Sequence, residues 1–199
     1  MMRTRKRQIA VLLAMSIGVG CSDVAPLAPT PGSGVGTAAE VSLARQPSNR
    51  EQTIATLERL RPLKASDSRT VIIGPAGGDI MLPRAGFRIH IPPGALTAST
   101  AISVTAHPGR AVAYEFGPHG LQFLVPVQIH QNLVGTTAEK SPELRQSLAA
   151  GYFENGAASI DDAAGVAVIT ERLRTTLSEK DMAVFFEITH FSGYILATG

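Results

Sequence analysis

The residues best suited to chemistry lie near the end of the chain, in the run Thr189-His190-Phe191-Ser192-Gly193-Tyr194. Ser192 places an alcohol directly after the Phe191 carbonyl, and His190 brings an imidazole two residues before it. A hydroxyl with a base in reach is the basic unit of nucleophilic catalysis. The same residues also suit a strand with a polar wet face, because alternation puts His190, Ser192 and Tyr194 on one side.

The other candidate sites read as structural. Ser192 is not in a G-x-S-x-G turn, which argues against a serine hydrolase. His90, His107, His119 and His130 do not fall at metal-ligand spacing, and no H-x₃-H pair or accompanying cysteine exists to complete a zinc site. The stretch GPAGGD lacks the Lys and Ser/Thr of a phosphate loop and reads as a turn. Tyr114, Phe116 and Phe123 read as core. No cofactor or metal is expected.

What positions the His-Phe-Ser run is a series of short strands. After Thr70 the sequence breaks into alternating runs separated by Gly and Pro: 70–73, 80–82, 87–91, 101–107, 112–116, 123–130, 150–154, 166–170, 172–177, 183–188 and 190–197. Spacing near ten residues with turn signals between predicts an all-β fold, an antiparallel sandwich or a barrel, and the sandwich is the expected architecture. Phe87, Ile89 and Ile91 alternate with Arg88 and His90. Phe123, Val125, Val127 and Ile129 alternate with Gln128 and His130, and Pro126 in that run marks an edge strand or a bulge. One helix is signalled by Ser141 as cap, Pro142 at the first position and Glu143 at the positive end of the dipole. Leu144 and Leu148 share its face, Gly151 is placed to end it, and it is expected to close one end of the sheets.

The remaining organisation is read from composition. Residues 1–20 join a basic start (Arg3, Arg5, Lys6, Arg7) to a twelve-residue uncharged run, Ile9 to Gly20, which has the form of a secretory signal and is too short to span a bilayer as a helix. Residues 21–50 are rich in Pro and Gly and read as a tether. Residues 51–69 form a lead-in: Ile54, Leu57 and Leu60 are spaced for a short helix stopped by Pro62, and a strand fits equally. The domain proper is 70–199. Removing the four leader cations from 18 basic side chains leaves 14 against 16 acidic, so the pI near 8.9 belongs mostly to the leader. No basic stripe remains, and nucleic acid is excluded as an expected partner.

Two resemblances complete the reading. GVGC followed by SD, with Cys21 the sole cysteine, resembles the lipobox of bacterial lipoproteins, although Gly18 stands where that family usually has Leu. The resemblance implies an acylated Cys21 as mature N-terminus and a membrane anchor; Ser22 after it implies the outer membrane of a two-membrane cell. Plain export with a free thiol is the alternative. Further on, IGPAGGDIMLPRAGFRIHIPPGAL and YEFGPHGLQFLVPVQI resemble the ZU-five domain of zonula occludens proteins, ankyrins, netrin receptors and PIDD. The matching residues include Gly77-Gly78, Gly86, Pro92, Gly94, Gly117-Pro118, Gly120, Phe123 and Pro126.

That resemblance implies a β-sandwich used for contacts with other proteins. Some members of the family cut themselves at His-Phe-Ser, which implies for this chain an N-to-O acyl shift. Ser192 would attack the Phe191 carbonyl, His190 would help move the proton, and water would release the ester. Such a step needs a base in reach and a twisted amide. Gly193, a flexible neighbour, is expected to relax that twist, and only an eight-residue strand lies beyond the bond. The favoured expectation is therefore a non-enzymatic, lipid-anchored module that binds a protein or glycan; self-cleavage is the alternative.

Overall fold

The computed structural model describes residues 51–199. In chain order the strands are β1 (Gln52–Thr56), β2 (Glu58–Leu63), β3 (Asp67–Ile73), β4 (Gly78–Leu82), β5 (Phe87–Ile91) and β6 (Thr100–Ala106). Next come β7 (Gly109–Ala111), β8 (Ala113–Gly117), β9 (Gln122–Asn132), β10 (Leu148–Phe153) and β11 (Ile160–Asp161). The last are β12 (Val166–Ile169), β13 (Glu171–Leu173), β14 (Thr176–Ser178), β15 (Ala183–His190) and β16 (Gly193–Thr198). The single α-helix among the described residues, α1, covers Pro142–Ser147.

All pairings are antiparallel, as the short alternating runs predict. A five-stranded sheet runs β14-β15-β9-β5-β4. A nine-stranded sheet runs β11-β12-β1-β16-β8-β6-β3, with β10 paired to the other side of β16 and to β13; β2 and β7 form a separate pair. One core joins the two larger sheets. Ile80, Phe87, Ile89, Val127, Ile129 and Phe186 come from the five-stranded sheet, and Ile102, Val104, Tyr114, Phe116, Tyr194 and Leu196 from the nine-stranded one. Each large side chain so buried stabilises the fold by roughly 1.5–3 kcal/mol, so this interface dominates the energetics. A smaller cluster of Ala113, Phe153, Ile169 and Ile195 covers part of the far face of the nine-stranded sheet.

Local chemistry accounts for the connections. At Gly77, φ is +76° and an added Cβ would lie 2.3 Å from the Ile91 carbonyl, so only glycine lets this turn close against the next hairpin. Pro92-Pro93-Gly94 turns the chain, with the Ala95 N–H donating to the Pro92 carbonyl at 3.2 Å. Ser141 caps α1 by accepting from the Leu144 N–H at 3.3 Å.

Two alternatives are decided, and two expectations are corrected. The lead-in carries no helix: β1 is built into the nine-stranded sheet between β12 and β16, and Leu57 is fully buried where β1 and β2 meet. Pro126 marks a bulge, not an edge: β9 is central, and pairing with β15 jumps from Ile188↔Val127 to His190↔Gln122. That jump carries Val125 out of the core, leaving it 39% exposed. The helix stops at Ser147 without Gly151, which lies in β10 opposite Ile195 and Arg172. The run 172–177 is split between β13 and β14, which belong to different sheets.

Candidate functional site

The His-Phe-Ser run is not one strand. His190 ends β15 in the five-stranded sheet, and Gly193 begins β16 in the nine-stranded sheet. Phe191 and Ser192 are the corner where the chain crosses between layers, so the alternation that put His190, Ser192 and Tyr194 on one face is broken. Both corner residues are buried.

The corner is held by main-chain bonds to the β8–β9 connection. The Phe191 N–H donates to the Leu121 carbonyl at 2.9 Å, the Gly120 N–H donates to the Phe191 carbonyl at 3.0 Å, and the Phe116 N–H donates to the Ser192 carbonyl at 3.1 Å. The Phe191 ring stacks on Phe116 at 5.2 Å and meets Phe123 edge-on at 4.7 Å. These contacts fix the peptide carbonyl against a donor, and neither Phe191 nor Ser192 has a positive φ.

The imidazole is placed elsewhere. The half-buried His190 ring lies edge-on to Tyr152 at 5.3 Å and 6.2 Å from Tyr194. The Tyr194 hydroxyl donates to the His190 carbonyl at 2.9 Å. Burial, with Tyr152 and Glu171 adding to it, pushes the Tyr194 phenol well above its ordinary range, so it stays a neutral donor. Among the described residues no hydrogen bond joins the His190 ring to the Ser192 hydroxyl. Gly193 is also not a loose joint: it pairs with Glu115 on one side and Phe153 on the other. An added Cβ there would lie 2.3 Å from the Phe153 ring, so the glycine serves close packing.

A second group of side chains comes together on the outer face of the five-stranded sheet. Register aligns Asp79, His90, Gln128 and Glu187 across four strands, and beside them Met81, Arg88, His130 and Phe185. Asp79 accepts from Arg88 Nε at 3.1 Å and bonds His90 Nδ1 at 3.0 Å. The Arg88 bond chiefly holds the Asp79 carboxyl below its usual value, with His90 adding to it against partial burial. His130 meets Phe185 edge-on at 4.8 Å, and burial together with Arg88 lowers its pKa. Two hollows of about 530 and 250 Å³ flank Gln128 and Phe185.

Alternation in the sequence placed Arg88, His90, Gln128 and His130 on wet faces, and the structure brings all four together. Asp79, Phe185 and Glu187 carried no sequence signal beyond their outward register. Tyr114, Phe116 and Phe123 are all buried in the core. His107 stands apart from this face, 3.5 Å from Glu115, and no cluster of three His, Cys, Asp or Glu suited to a metal exists among the described residues. Cys21 lies outside the described residues. No family model matches the chain, and no curated protein matches it.

Proposed function

We propose that this chain is an exported, lipid-anchored envelope protein, held at the outer membrane through Cys21, whose ZU-five-like sandwich binds a protein or glycan partner. The observation that carries the reading is the outer face of the five-stranded sheet. It presents charge (Asp79, Arg88, Glu187), imidazole (His90, His130), amide (Gln128) and an aromatic edge (Phe185) in register on a rigid support. Planar polar groups beside a half-buried ring, with hollows on both sides, suit recognition of a polar surface better than capture of an apolar one.

The test has two arms. A photo-crosslinker placed at Gln128 in cells should trap a discrete adduct or, with purified protein, a glycan from an array. Phe185→Ala and Arg88→Glu should each abolish that capture while a crosslinker at Ser68, on another sheet, traps nothing comparable. Capture that ignores both substitutions overturns the reading. For the anchor, cells are labelled with a fatty-acid probe, and label that persists undiminished in Cys21→Ala rules it out.

One contact favours the second reading, self-cleavage at Phe191–Ser192. The Gly120 N–H already sits on the Phe191 carbonyl oxygen, where an oxyanion would form. The base is the missing part: His190 faces Tyr152. The binding reading is preferred on that ground.

A further inference from the structure

The two hollows on the outer face of the five-stranded sheet share Gln128 and Phe185. The smaller, about 250 Å³, is lined by Arg88, His90, Gln128, His130 and Phe185. The larger, about 530 Å³, runs on to Arg174, Thr176 and Glu187. The smaller hollow lies over β5, β9 and β15, the three interior strands of the order β14-β15-β9-β5-β4. Their main-chain groups are committed to ladders on both sides, so recognition there falls to side chains. An extended peptide that joins a sheet as a strand needs a free edge, and the edges of this sheet are β4 and β14. The lining side chains are within reach of a ligand: Arg88 and His90 are each 47% exposed, and Gln128, Thr176 and Glu187 are exposed as well.

Charge in the lining is balanced. Arg88 is the permanent cation of the smaller hollow, and Asp79 meets it at 3.1 Å. The larger hollow carries one charge of each sign, Arg174 and Glu187. Burial and the Arg88 charge lower the pKa of His130 and hold it toward its neutral form. An ionic ligand therefore meets no uncompensated counter-charge, and its desolvation has nothing to offset it. Hydroxyls fit the lining better, since each both donates and accepts. Arg88 uses Nε on Asp79 and keeps its terminal nitrogens as donors. The Asp79 carboxylate accepts from His90 Nδ1 at 3.0 Å, which leaves Nε2 as an acceptor in the neutral ring. The Gln128 amide offers both kinds of group, and the Glu187 carboxylate an acceptor. Phe185, common to both hollows, supplies apolar surface against which the C–H face of a sugar ring packs.

We propose that this face binds a neutral linear oligosaccharide, seated across Gln128 and Phe185 so that successive sugar rings occupy both hollows. The larger hollow by itself has the size of a small-molecule pocket, and a ligand confined to it leaves the group of Arg88, His90 and His130 unused. The inference rests on the reading of this face as the partner-binding surface and narrows that partner from protein or glycan to glycan.

The test titrates the chain beginning at Cys21 with neutral linear hexasaccharides (malto-, cello-, xylo-, manno- and chitohexaose), with the matching disaccharides, and with oligogalacturonate as the acidic counterpart, followed by NMR. At least one neutral hexasaccharide should give saturable shifts at Gln128, His130 and Phe185 that added salt does not reduce. It should bind about tenfold or more tighter than its disaccharide, because it spans both hollows. Gln128→Ala, an exposed change in both hollows, should weaken binding several-fold without altering the thermal midpoint. Thr176→Trp, set in the larger hollow, should bring the hexasaccharide down to the affinity of the disaccharide. Phe185→Ala should abolish binding, and if it does not fold, Gln128→Ala and Thr176→Trp decide. Absence of saturable shifts with every hexasaccharide, equal affinity for hexasaccharide and disaccharide, indifference to Gln128→Ala, or preference for oligogalacturonate overturns the inference. A protein adduct from the crosslinker at Gln128 beside silent titrations overturns the glycan assignment alone and leaves the partner-binding reading; absence of both overturns the two together.

Discussion

The hydroxyl of Tyr194 reaches back 2.9 Å to the carbonyl of His190, so the first turn of β16 is tied to the last residue of β15 across the point where the chain changes sheets. The bond spans only four residues but joins two layers. Tyr194→Phe keeps the ring and deletes this donor. A partly buried hydrogen bond of this kind contributes about 1 kcal/mol, and the unpaired carbonyl adds to the loss. Urea unfolding should therefore show a drop of about 1–2 kcal/mol at unchanged m-value; no change would mean water replaces the phenol.

Gly193→Ala should be worse. The new methyl would meet the Phe153 ring at 2.3 Å, and that ring is itself buried. Overpacking costs about 1–3 kcal/mol, and here the backbone cannot yield because two ladders hold it. Adding Phe153→Leu should recover part of the loss, a coupling that a double-mutant cycle in urea measures directly.

Stability should rise with pH on the acid side of neutrality. Burial lowers the pKa of His107, with Glu115 opposing and Arg59 reinforcing the shift, and burial also lowers that of His130. Below the ordinary value of 6.5 the unfolded chain takes up protons that the folded one resists, so stability is lost as pH falls from there toward the folded pKa values. Unfolding midpoints at constant ionic strength should climb up to about pH 7 and then level, and His107→Gln should flatten the climb. A flat wild-type profile would contradict the assignment.

The Phe191–Ser192 bond should stay intact. His190 is turned onto Tyr152 and, among the described residues, no hydrogen bond joins its ring to the Ser192 hydroxyl, so intact mass after long incubation should equal that of Ser192→Ala. A wild-type species lacking the segment from Ser192 onward, absent in the mutant, would move the protein to the self-cleaving reading.

Much of this architecture is legible in the sequence because strand periodicity is local. The run Phe87–Ile91 announces its buried and wet faces in five residues, and Ser141-Pro142-Glu143 announces the helix start. What stays hidden depends on which strand pairs with which. The bulge at Pro126, the exposure of Val125 and the change of sheet at Phe191 all follow from the competing registers of β9, β15 and β16. The same holds for the sites. Arg88, His90, Gln128 and His130 are readable one by one as wet positions, whereas their assembly with Asp79 and Phe185 is a property of four aligned strands.

From the amino-acid order alone comes the all-β class, since it rests on a period within a few residues; the export leader, the acylation of Cys21 and the tether are likewise read from composition and stand as proposals. Tertiary structure alone decides that His190 faces Tyr152 while Ser192 lies buried at a corner, and that Arg59 is buried without an ion-pair partner among the described residues. The physical reason is that burial, pairing and electrostatic environment are set by residues far apart in the chain, such as Ala55 and Thr198, which pair where β1 meets β16.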